Sequence, residues 1–375
     1  MAIKRRSVIE SIPSINCYMD YDYELYTRDE KVSCCQRYRC CLIAVTTLLL
    51  LLVLAFIVIF VVPPVTFMLS IGVQRYVIFL ATYGNETGGF TNFKEIGLEG
   101  LRNLYVPVDH NGTLGVWHVL PLEYTYEAVT SASYNYDDAL ADGKYPVLLY
   151  LHDSGENRIT SKNKYMILRR FFHVIAFDYR SYGDSTDAEL SEGGLVHDSA
   201  NLYRWTRTHT GNDAYVWGHG LGSSIAAKTV AQLRNESIVP KGLFLESAFT
   251  NLEELLTVNS YMKIFSWTPW FKPTFLDSLR ENEFLFKTDE YILSVDCPIM
   301  IVHAEDNHLI PYTQSEKLVR IGNKKRVNEV QGNITFHLFP KNDHYGHNDI
   351  YLAPQLPEYI RSHIDTCNEY NKGKG

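Results

Sequence analysis

The sequence has few cysteines after its first 41 residues and no long block of charges of one sign. Of its seven cysteines only Cys297 and Cys367 follow residue 41, which excludes a disulfide framework for most of the chain. The net charge of −8 is spread without long blocks of one sign, so no nucleic-acid partner is expected. No internal repeat and no cofactor or metal motif is found. What is present is a chain of 375 residues, 46% of them hydrophobic, which is enough for one large domain or two small ones.

One long hydrophobic run lies near the N-terminus. Residues 41–62 contain no charged residue, and as a helix they would span about 33 Å at 1.5 Å per residue. The hydrocarbon core of a bilayer is about 30 Å thick. Pro63 and Pro64 are expected to end this helix, because proline has no amide hydrogen and clashes with the preceding turn. Residues 1–40 precede the run, which favours a retained signal anchor over a cleaved signal peptide.

The charges beside this run predict its orientation. Four basic residues precede it closely, whereas Arg75 alone follows it before Lys94. The positive-inside rule then makes residues 1–40 a cytosolic tail and places the large domain in the lumen or outside the cell. Four Asn-X-Ser/Thr sequons after the run agree with a glycosylated lumenal domain. They begin at Asn85, Asn111, Asn235 and Asn333.

The cysteines agree with this orientation. Five of the seven precede or begin the hydrophobic run, on the side where the cytosol keeps thiols reduced. Four of them lie close to the membrane and are either palmitoylation sites or unmodified thiols. They are Cys34, Cys35, Cys40 and Cys41.

From about residue 101 short apolar runs alternate with helical stretches. This alternation predicts an α/β domain over residues 101–368, with a mostly parallel sheet covered by helices on both faces. Residues 63–100 are expected to form a membrane-proximal linker, and 369–375 a tail. The expected strands are 115–120, 147–151, 174–177, 214–217, 243–246, 300–303 and 335–339, and the expected helices include 195–208, 223–233 and 315–321, the last closed by Gly322.

Residues 250–292 interrupt the alternation with aromatic residues and prolines. We expect a cap over the carboxyl edge of the sheet, where ligands bind in α/β folds. An aromatic cap would hold an acyl chain, touch the bilayer, or only pack on the core. Its candidate residues are Phe265, Trp267, Trp270 and Phe271.

A strand–turn–helix pattern spans residues 214–233. Its turn, Gly218-His-Gly-Leu-Gly222, matches the nucleophile elbow G-x-S-x-G of the α/β-hydrolase fold, with Gly220 in the position of the serine. The flanking glycines permit the sharp turn, but the hydroxyl that would attack an acyl carbon is missing. Ser223 and Ser224 follow closely, in the first turn of the helix and not at the apex of the elbow.

The other catalytic positions follow in the order acid, then histidine. Counting from His303 places the acid at Asn307, which can accept a hydrogen bond but carries no charge. Asp306, one residue earlier, is the alternative. His347 best fits the general base, in the loop before the last helix.

Two backbone amides should form the oxyanion hole. One belongs to Leu221, directly after the nucleophile position, and the other to Ser154, in the loop after an early strand. Asp153 occupies a position in that loop where a glycine is expected. Its larger side chain should distort the hole.

Together these segments resemble the membrane-anchored α/β-hydrolase-domain lysophosphatidylserine lipases, which also hydrolyse monoacylglycerols. The resemblance covers about residues 100–365 and implies one membrane helix before a lumenal hydrolase domain, residence in the endoplasmic reticulum, and a pocket for a lysophospholipid or monoacylglycerol. The matching stretches are Gly115-Val-Trp-His118, Tyr150-Leu-His152, Phe177-Asp-Tyr-Arg180, Gly183-Asp-Ser185, Trp217-Gly-His219, Leu221-Gly222, Leu245-Glu-Ser247, Phe249-Thr-Asn251, Cys297-Pro298, His303-Ala-Glu-Asp306 and Leu356-Pro-Glu358.

The family's nucleophile falls on Gly220, its acid on Asn307 and its base on His347. Two replacements favour a naturally degenerate member over an engineered Ser→Gly trap, which would leave the acid in place. The leading hypothesis is a pseudoenzyme that binds a lipid or a protein without turnover. The alternatives are an active lipase, using a shifted serine or a water activated by His347 with Asp306, and a membrane-tethered scaffold. The sequence names no protein partner.

Overall fold

The chain divides into an N-terminal unit, Met1–Val62, and a large unit, Pro63–Gly375. The computed structural model describes residues 28–80, 89–108, 112–211 and 214–373, and within them the side chains of all but residues 28–37, 328 and 329. The sequons at Asn85 and Asn111 and most of the expected cytosolic tail lie outside the described residues.

The described part of the N-terminal unit contains one long helix, α1 (Arg28–Phe60). In the described part of the chain one stretch is long and apolar enough to cross a membrane, Tyr38–Leu69, which contains an 18-residue window with a mean hydropathy of 3.3. As expected, α1 ends before Pro63 and Pro64. Both prolines then lie in the first turn of a second helix, α2 (Val62–Leu69), where a missing amide hydrogen has no partner to lose.

The expectation of a linker over residues 63–100 is corrected by two helices, α2 and α3 (Ile71–Phe79). Ser70 caps α3, its hydroxyl oxygen accepting a hydrogen bond from the Val73 amide. Phe67 and Phe79 are buried in the core of the large unit. The apolar face of these two helices is therefore part of the folded domain. A short helix, α4 (Phe93–Ile96), follows.

Eight strands of the described residues form one sheet, in the order β1-β2-β4-β3-β5-β6-β7-β8. The first two strands pair antiparallel with each other and β2 with β4, while the remaining neighbours are parallel. Seven strands were expected, at nearly these bounds. The eighth, β1, lies at the edge of the sheet and buries only Leu101 and Val106. The strands are β1 Leu101–Val108, β2 Gly112–Val119, β3 Val147–Leu151, β4 His173–Phe177, β5 Tyr215–His219, β6 Leu243–Glu246, β7 Ile299–Ala304 and β8 Ile334–Phe339.

The core lies on both faces of this sheet, as the apolar strands predict. In β3, Leu149 and Leu151 pack into one hydrophobic cluster, whereas Leu148 and Tyr150 pack into the other, because successive side chains point to opposite faces. Helices cover both clusters: α5 Thr125–Thr130, α6 Tyr136–Ala141, α7 Lys162–Leu168, α8 Glu192–Thr210, α9 Leu221–Arg234, α10 Leu252–Val258, α11 Lys263–Ser266, α12 Ser278–Glu281, α13 Thr288–Tyr291, α14 Thr313–Lys325, α15 Asn328–Gln331 and α16 Leu356–Lys372.

Two expected boundaries are wrong. Gly322 was expected to close a helix but lies inside α14. A Cβ there would lie 2.2 Å from the Ile334 side chain, so the glycine lets α14 pack closely on β8. The expected tail 369–375 is helical as far as Lys372, because α16 buries Cys367 against the sheet.

Candidate functional site

The elbow turn is built as its sequence predicts. Strand β5 ends at His219 and α9 begins at Leu221, so Gly220 alone makes the turn, with φ +54°. Glycine adopts this left-handed conformation without the steric cost that a side chain would bring. Gly222 lets α9 approach β3, since a Cβ there would lie 2.4 Å from the Leu151 carbonyl oxygen.

The space above Gly220 is filled by the carboxylate of Asp153. A Cβ added to Gly220 would lie 2.1 Å from Asp153 Oδ1, closer than the 3.0 Å that real Cβ contacts respect. Asp153 follows β3 and comes from the loop that was expected to shape the oxyanion hole. A serine at position 220 and the present position of the Asp153 carboxylate therefore exclude each other.

Both carboxylate oxygens of Asp153 are bonded. Oδ1 accepts a hydrogen bond from the Leu221 amide at 2.5 Å, and Oδ2 lies 2.7 Å from His347 Nε2. Burial acts to raise the pKa of Asp153, but the hydrogen bond with His347, together with the nearby His219, outweighs it, so the pKa is lowered. Asp153 is thus ionised at neutral pH. It accepts the hydrogen bond of the Leu221 amide, which was expected to stabilise an oxyanion.

Asn307 fixes the tautomer of His347. The Asn307 side-chain oxygen accepts hydrogen bonds from the Leu309 and Ile310 amides, at 3.1 and 3.0 Å. Its NH2 group must then face His347 Nδ1, which lies 3.0 Å away. Nδ1 is therefore the acceptor, and a neutral imidazole carries its proton on Nε2, pointing at Asp153. A catalytic histidine needs the opposite tautomer, with the proton on Nδ1 and a free Nε2.

A buried histidine holds the loop that carries Asn307. His303 Nδ1 lies 2.7 Å from Ser315 Oγ, and Nε2 lies 2.9 Å from the Ile310 carbonyl oxygen. Burial lowers the pKa of His303 to about 3, so its ring is neutral and serves as a structural bridge.

The alternative acid, Asp306, is not brought to the imidazole by any described contact. Its Oδ1 accepts a hydrogen bond from the Gly346 amide at 3.0 Å, so it positions the backbone beside His347. The alternative serines are also turned away. Ser223 donates to the Gly220 carbonyl oxygen at 2.6 Å, and the fully buried Ser224 does not line the cavity described next.

A cavity of about 620 Å³ lies beside the carboxylate. Asp153, Ser154, Leu221 and His347 line one end of it, the polar end, and mostly apolar side chains line the rest, with Thr66, Asn259 and Tyr261 among them. These apolar residues come from α2 and α3, from the elbow side of the sheet, and from the cap. They are Pro63, Phe67, Val73, Val77, Ile78, Leu80, Phe249, Leu252, Leu255, Leu256, Met262, Phe265, Phe275, Leu279, Leu309 and Ile310.

The cap lies over the cavity, but its four expected residues have different positions. Phe265 lines the cavity, and Phe271 is buried against Phe275, with ring centroids 5.4 Å apart. Trp267 is exposed and Trp270 is half-buried, and neither lines the cavity. Sequence reasoning missed α2 and α3 as a wall, although their apolar residues at helical spacing could have indicated it.

Behind the polar end lies a buried charged group. Lys164 Nζ lies 2.7 Å from His219 Nδ1 and 3.4 Å from Glu156 Oε1. Glu156 Oε2 accepts from the Asp153 amide at 3.2 Å, and His219 Nε2 lies 3.0 Å from the His347 carbonyl oxygen. This network ties the Asp153 loop, the elbow strand and the His347 loop together.

Asp153, His219 and His347 are close enough to suggest a metal site, with ligand atoms within 4.8 Å of one another. Their existing bonds do not fit an ion. His347 presents its Nε2 proton, and both nitrogens of His219 face protein atoms, one of them the Lys164 ammonium nitrogen.

The remaining predicted sites lie on the surface or in the core. Asn235 and Asn333 are exposed, as a glycan requires. Cys40 and Cys41 are exposed, whereas Cys297 and Cys367 are buried.

No family model matches the chain, but comparison with individual proteins is informative. The chain is 32% identical over 311 residues to the lysophosphatidylserine lipase ABHD12 of Rattus norvegicus, covering 80% of this chain and 76% of the relative. The chain belongs to this family. It is also 31% identical over 271 residues to the protein ABHD12B of Homo sapiens, covering 70% of this chain and 72% of that protein. The resemblance drawn from the sequence motifs is confirmed.

The fold of this ABHD12 family member is equally confirmed. A solved α/β hydrolase from Vibrio vulnificus matches with a TM-score of 0.56 and 14% identity, covering 77% of this chain and 91% of that one. At this identity the match shows the shared fold and carries no information on substrate.

Proposed function

We propose that this chain is a membrane-anchored member of its family that binds a single-chain lipid in the cavity and does not hydrolyse it. The observation that carries the proposal is the Asp153 carboxylate, which occupies the space above Gly220 and the Leu221 amide at once.

Three requirements of serine acyl transfer are then unmet. Gly220 offers no nucleophile, the Nε2 proton of His347 prevents it from accepting a proton, and the Leu221 amide already donates to a carboxylate. Losing the nucleophile alone lowers turnover by roughly 10⁶-fold in a well-studied serine protease, or about 8 kcal/mol of barrier at 1.36 kcal/mol per tenfold.

The cavity supports lipid binding. Its volume of about 620 Å³ falls within the roughly 300–1,000 Å³ of small-molecule sites, which are mostly apolar with a few polar groups. The charged group of the lining, Asp153, lies at the elbow, so an acyl chain along the apolar walls would bring its polar head to Asp153. The relatives' name, lysophosphatidylserine lipase, also describes a single-chain lipid ligand.

We further propose that the N-terminus is cytosolic and the hydrolase-fold domain lumenal, in the endoplasmic reticulum, with the bilayer as the source of ligand and no nucleic-acid partner. The basic residues before α1 support this orientation. The exposed sequons at Asn235 and Asn333 agree with it.

Lipid binding is tested by blocking the cavity in the full-length protein reconstituted in phosphatidylcholine nanodiscs. Val77 and Tyr76 are neighbours in α3 and each is 46% exposed, but only Val77 lines the cavity. Saturable binding of 1-oleoylglycerol should be lost in Val77→Trp and kept in the matched control Tyr76→Trp.

Equal binding by both variants and the unmodified chain would place the lipid outside the cavity and contradict the proposal. Release of oleate by the unmodified chain would contradict its non-hydrolytic part. If Tyr76→Trp lost as much binding as Val77→Trp, the loss would come from a general disturbance of α3, and no specific role of the cavity would be supported.

A further inference from the structure

The polar end of the cavity has an unbalanced charge. Asp153 is the one carboxylate among the described residues that line the cavity, and none of those residues is lysine or arginine. His347, beside it, has its Nδ1 facing the NH2 group of Asn307 at 3.0 Å. The carboxylate therefore has no lysine or arginine partner among the described side chains that line the cavity.

The charges behind the wall do not correct this. Glu156, whose pKa is lowered chiefly by the charge of Lys164 against the effect of burial, brings a second negative charge. Lys164 and His219 both contact Glu156. The Lys164 and Glu156 groups are bonded to each other, and neither lines the cavity.

Asp153 can still accept hydrogen bonds from a ligand. An ionised carboxylate has about four acceptor sites, and the described contacts use one on each oxygen, with Leu221 and His347. Its side chain is 13% exposed and lines the cavity. A donor on a ligand head would thus meet a charged acceptor, which makes a stronger hydrogen bond than a neutral one.

We propose that this cavity selects single-chain lipids whose heads donate hydrogen bonds and carry no negative charge, such as the hydroxyls of a monoacylglycerol or the ammonium of a long-chain amine. The proposal rests on the proposed lipid-binding function and adds the ligand class. Heads bearing a sulfate, phosphate or carboxylate are excluded.

The exclusion follows from the geometry. An anionic head at the elbow would approach Asp153 in surroundings of low polarity, where like charges repel much more strongly than in water. It could not use the Leu221 amide, which Asp153 already occupies. Lysophosphatidylserine, named in the relatives' activity, has an anionic head, so this chain differs from its relatives in ligand class on this account.

The test compares three lipids with the same chain: 1-oleoylglycerol, oleylamine and oleyl sulfate, which stays anionic at all relevant pH values. Each competes with a fluorescent oleoyl probe for the full-length protein in phosphatidylcholine nanodiscs. We expect oleyl sulfate to bind at least about tenfold more weakly than 1-oleoylglycerol, which corresponds to about 1.4 kcal/mol.

The matched variant moves the charge while keeping the number of hydrogen bonds. In Asp153→Asn/Asn307→Asp the carboxylate faces His347 Nδ1, outside the cavity lining, and the new amide at 153 faces Nε2. The preference against oleyl sulfate should shrink by about tenfold or more relative to the unmodified chain. If this variant does not fold, Asp153→Gly removes the charge and should reduce the preference in the same direction.

The outcomes separate the two proposals. Binding of no lipid by the unmodified chain would overturn the proposed function itself. Binding of all three with similar affinity, or a preference that survives in both variants, would overturn the charge selection and leave lipid binding standing. Tighter binding of oleyl sulfate than of 1-oleoylglycerol would overturn it outright.

Discussion

The two ends of the cavity differ in what the fold alone provides. At the apolar end, α2, α3 and the cap make a lipid-sized space from ordinary hydrophobic side chains. At the polar end the fold still makes the elbow, with Gly220 at φ +54° and the Leu221 amide donating a hydrogen bond to Asp153. The reacting groups there have been replaced, and Asp153 occupies the position they would need. On the proposed function, the hydrolase fold keeps a lipid site without the chemistry.

The largest effect is expected from rebuilding the polar end. The substitutions Gly220→Ser and Asn307→Asp should not suffice, because the serine would clash with Asp153 Oδ1. Adding Asp153→Gly frees both the serine's space and the Leu221 amide. The triple variant should react covalently with a fluorophosphonate probe and release oleate from 1-oleoylglycerol. Its turnover should rise toward the roughly 10⁶-fold difference that a serine nucleophile makes.

The control for this series is the triple variant with His347→Ala, which should again be inactive. Activity in the double variant, with Asp153 still in place, would show that the carboxylate does not block the site. The comparison of the two ends would then lose its main support.

A smaller effect is expected from truncating one fully buried side chain and one half-buried side chain of the cavity lining. Ile225 in α9 is fully buried, so Ile225→Ala should lower the free energy of unfolding by about 2–5 kcal/mol. Leu256 is half-buried and borders the cavity, so Leu256→Ala should cost less stability and weaken lipid binding more. Urea denaturation and oleoylglycerol binding on the same samples measure both, and the reverse order would contradict the assignment of Leu256 to the ligand site.

The pH dependence of stability should report Asp153. Its pKa is lowered in the folded state below the roughly 3.9 of an unfolded aspartate. Its stabilisation is therefore present above about pH 4 and lost as the pH falls through the folded-state pKa. Between pH 5 and pH 3 the unmodified chain should lose stability faster than Asp153→Asn. Parallel curves would mean that the carboxylate has no favourable bonds in the folded protein.

The smallest effect is expected at the sequons. Asn235 and Asn333 are exposed, away from the cavity lining, so Asn235→Gln and Asn333→Gln should leave lipid binding unchanged. In a lumenal domain each substitution should remove one glycan, seen as a gel shift that endoglycosidase treatment abolishes. Asn235→Ala serves as the matched control for Gln. No glycan on either residue would count against the lumenal orientation.

The sequence predicted the parts of the fold that rest on local pattern. Strand β3 is a continuous apolar run and its residues are buried on both faces, so its bounds were exact. Strand β1 was missed; it lies at the edge of the sheet and buries only Leu101 and Val106, unlike the fully buried β3. The linker expected after Pro63 and Pro64 was wrong, because prolines also open helices and α2 begins there.

The candidate site was predicted in position but not in geometry. Counting placed Asn307 beside His347, and the two side chains are bonded at 3.0 Å. The sequence also flagged Asp153 as bulky in the oxyanion loop. It did not predict that this side chain would reach His347, because a partner 194 residues away leaves no periodic trace and side-chain direction depends on the folded sheet.

One measurement tests the account most directly: bound 1-oleoylglycerol and released oleate, followed together for the unmodified full-length protein in nanodiscs. We predict saturable binding with no oleate above the background of Val77→Trp. Oleate release that disappears in His347→Ala would contradict the account, since it would show that Asp153 and His347 support hydrolysis as they stand.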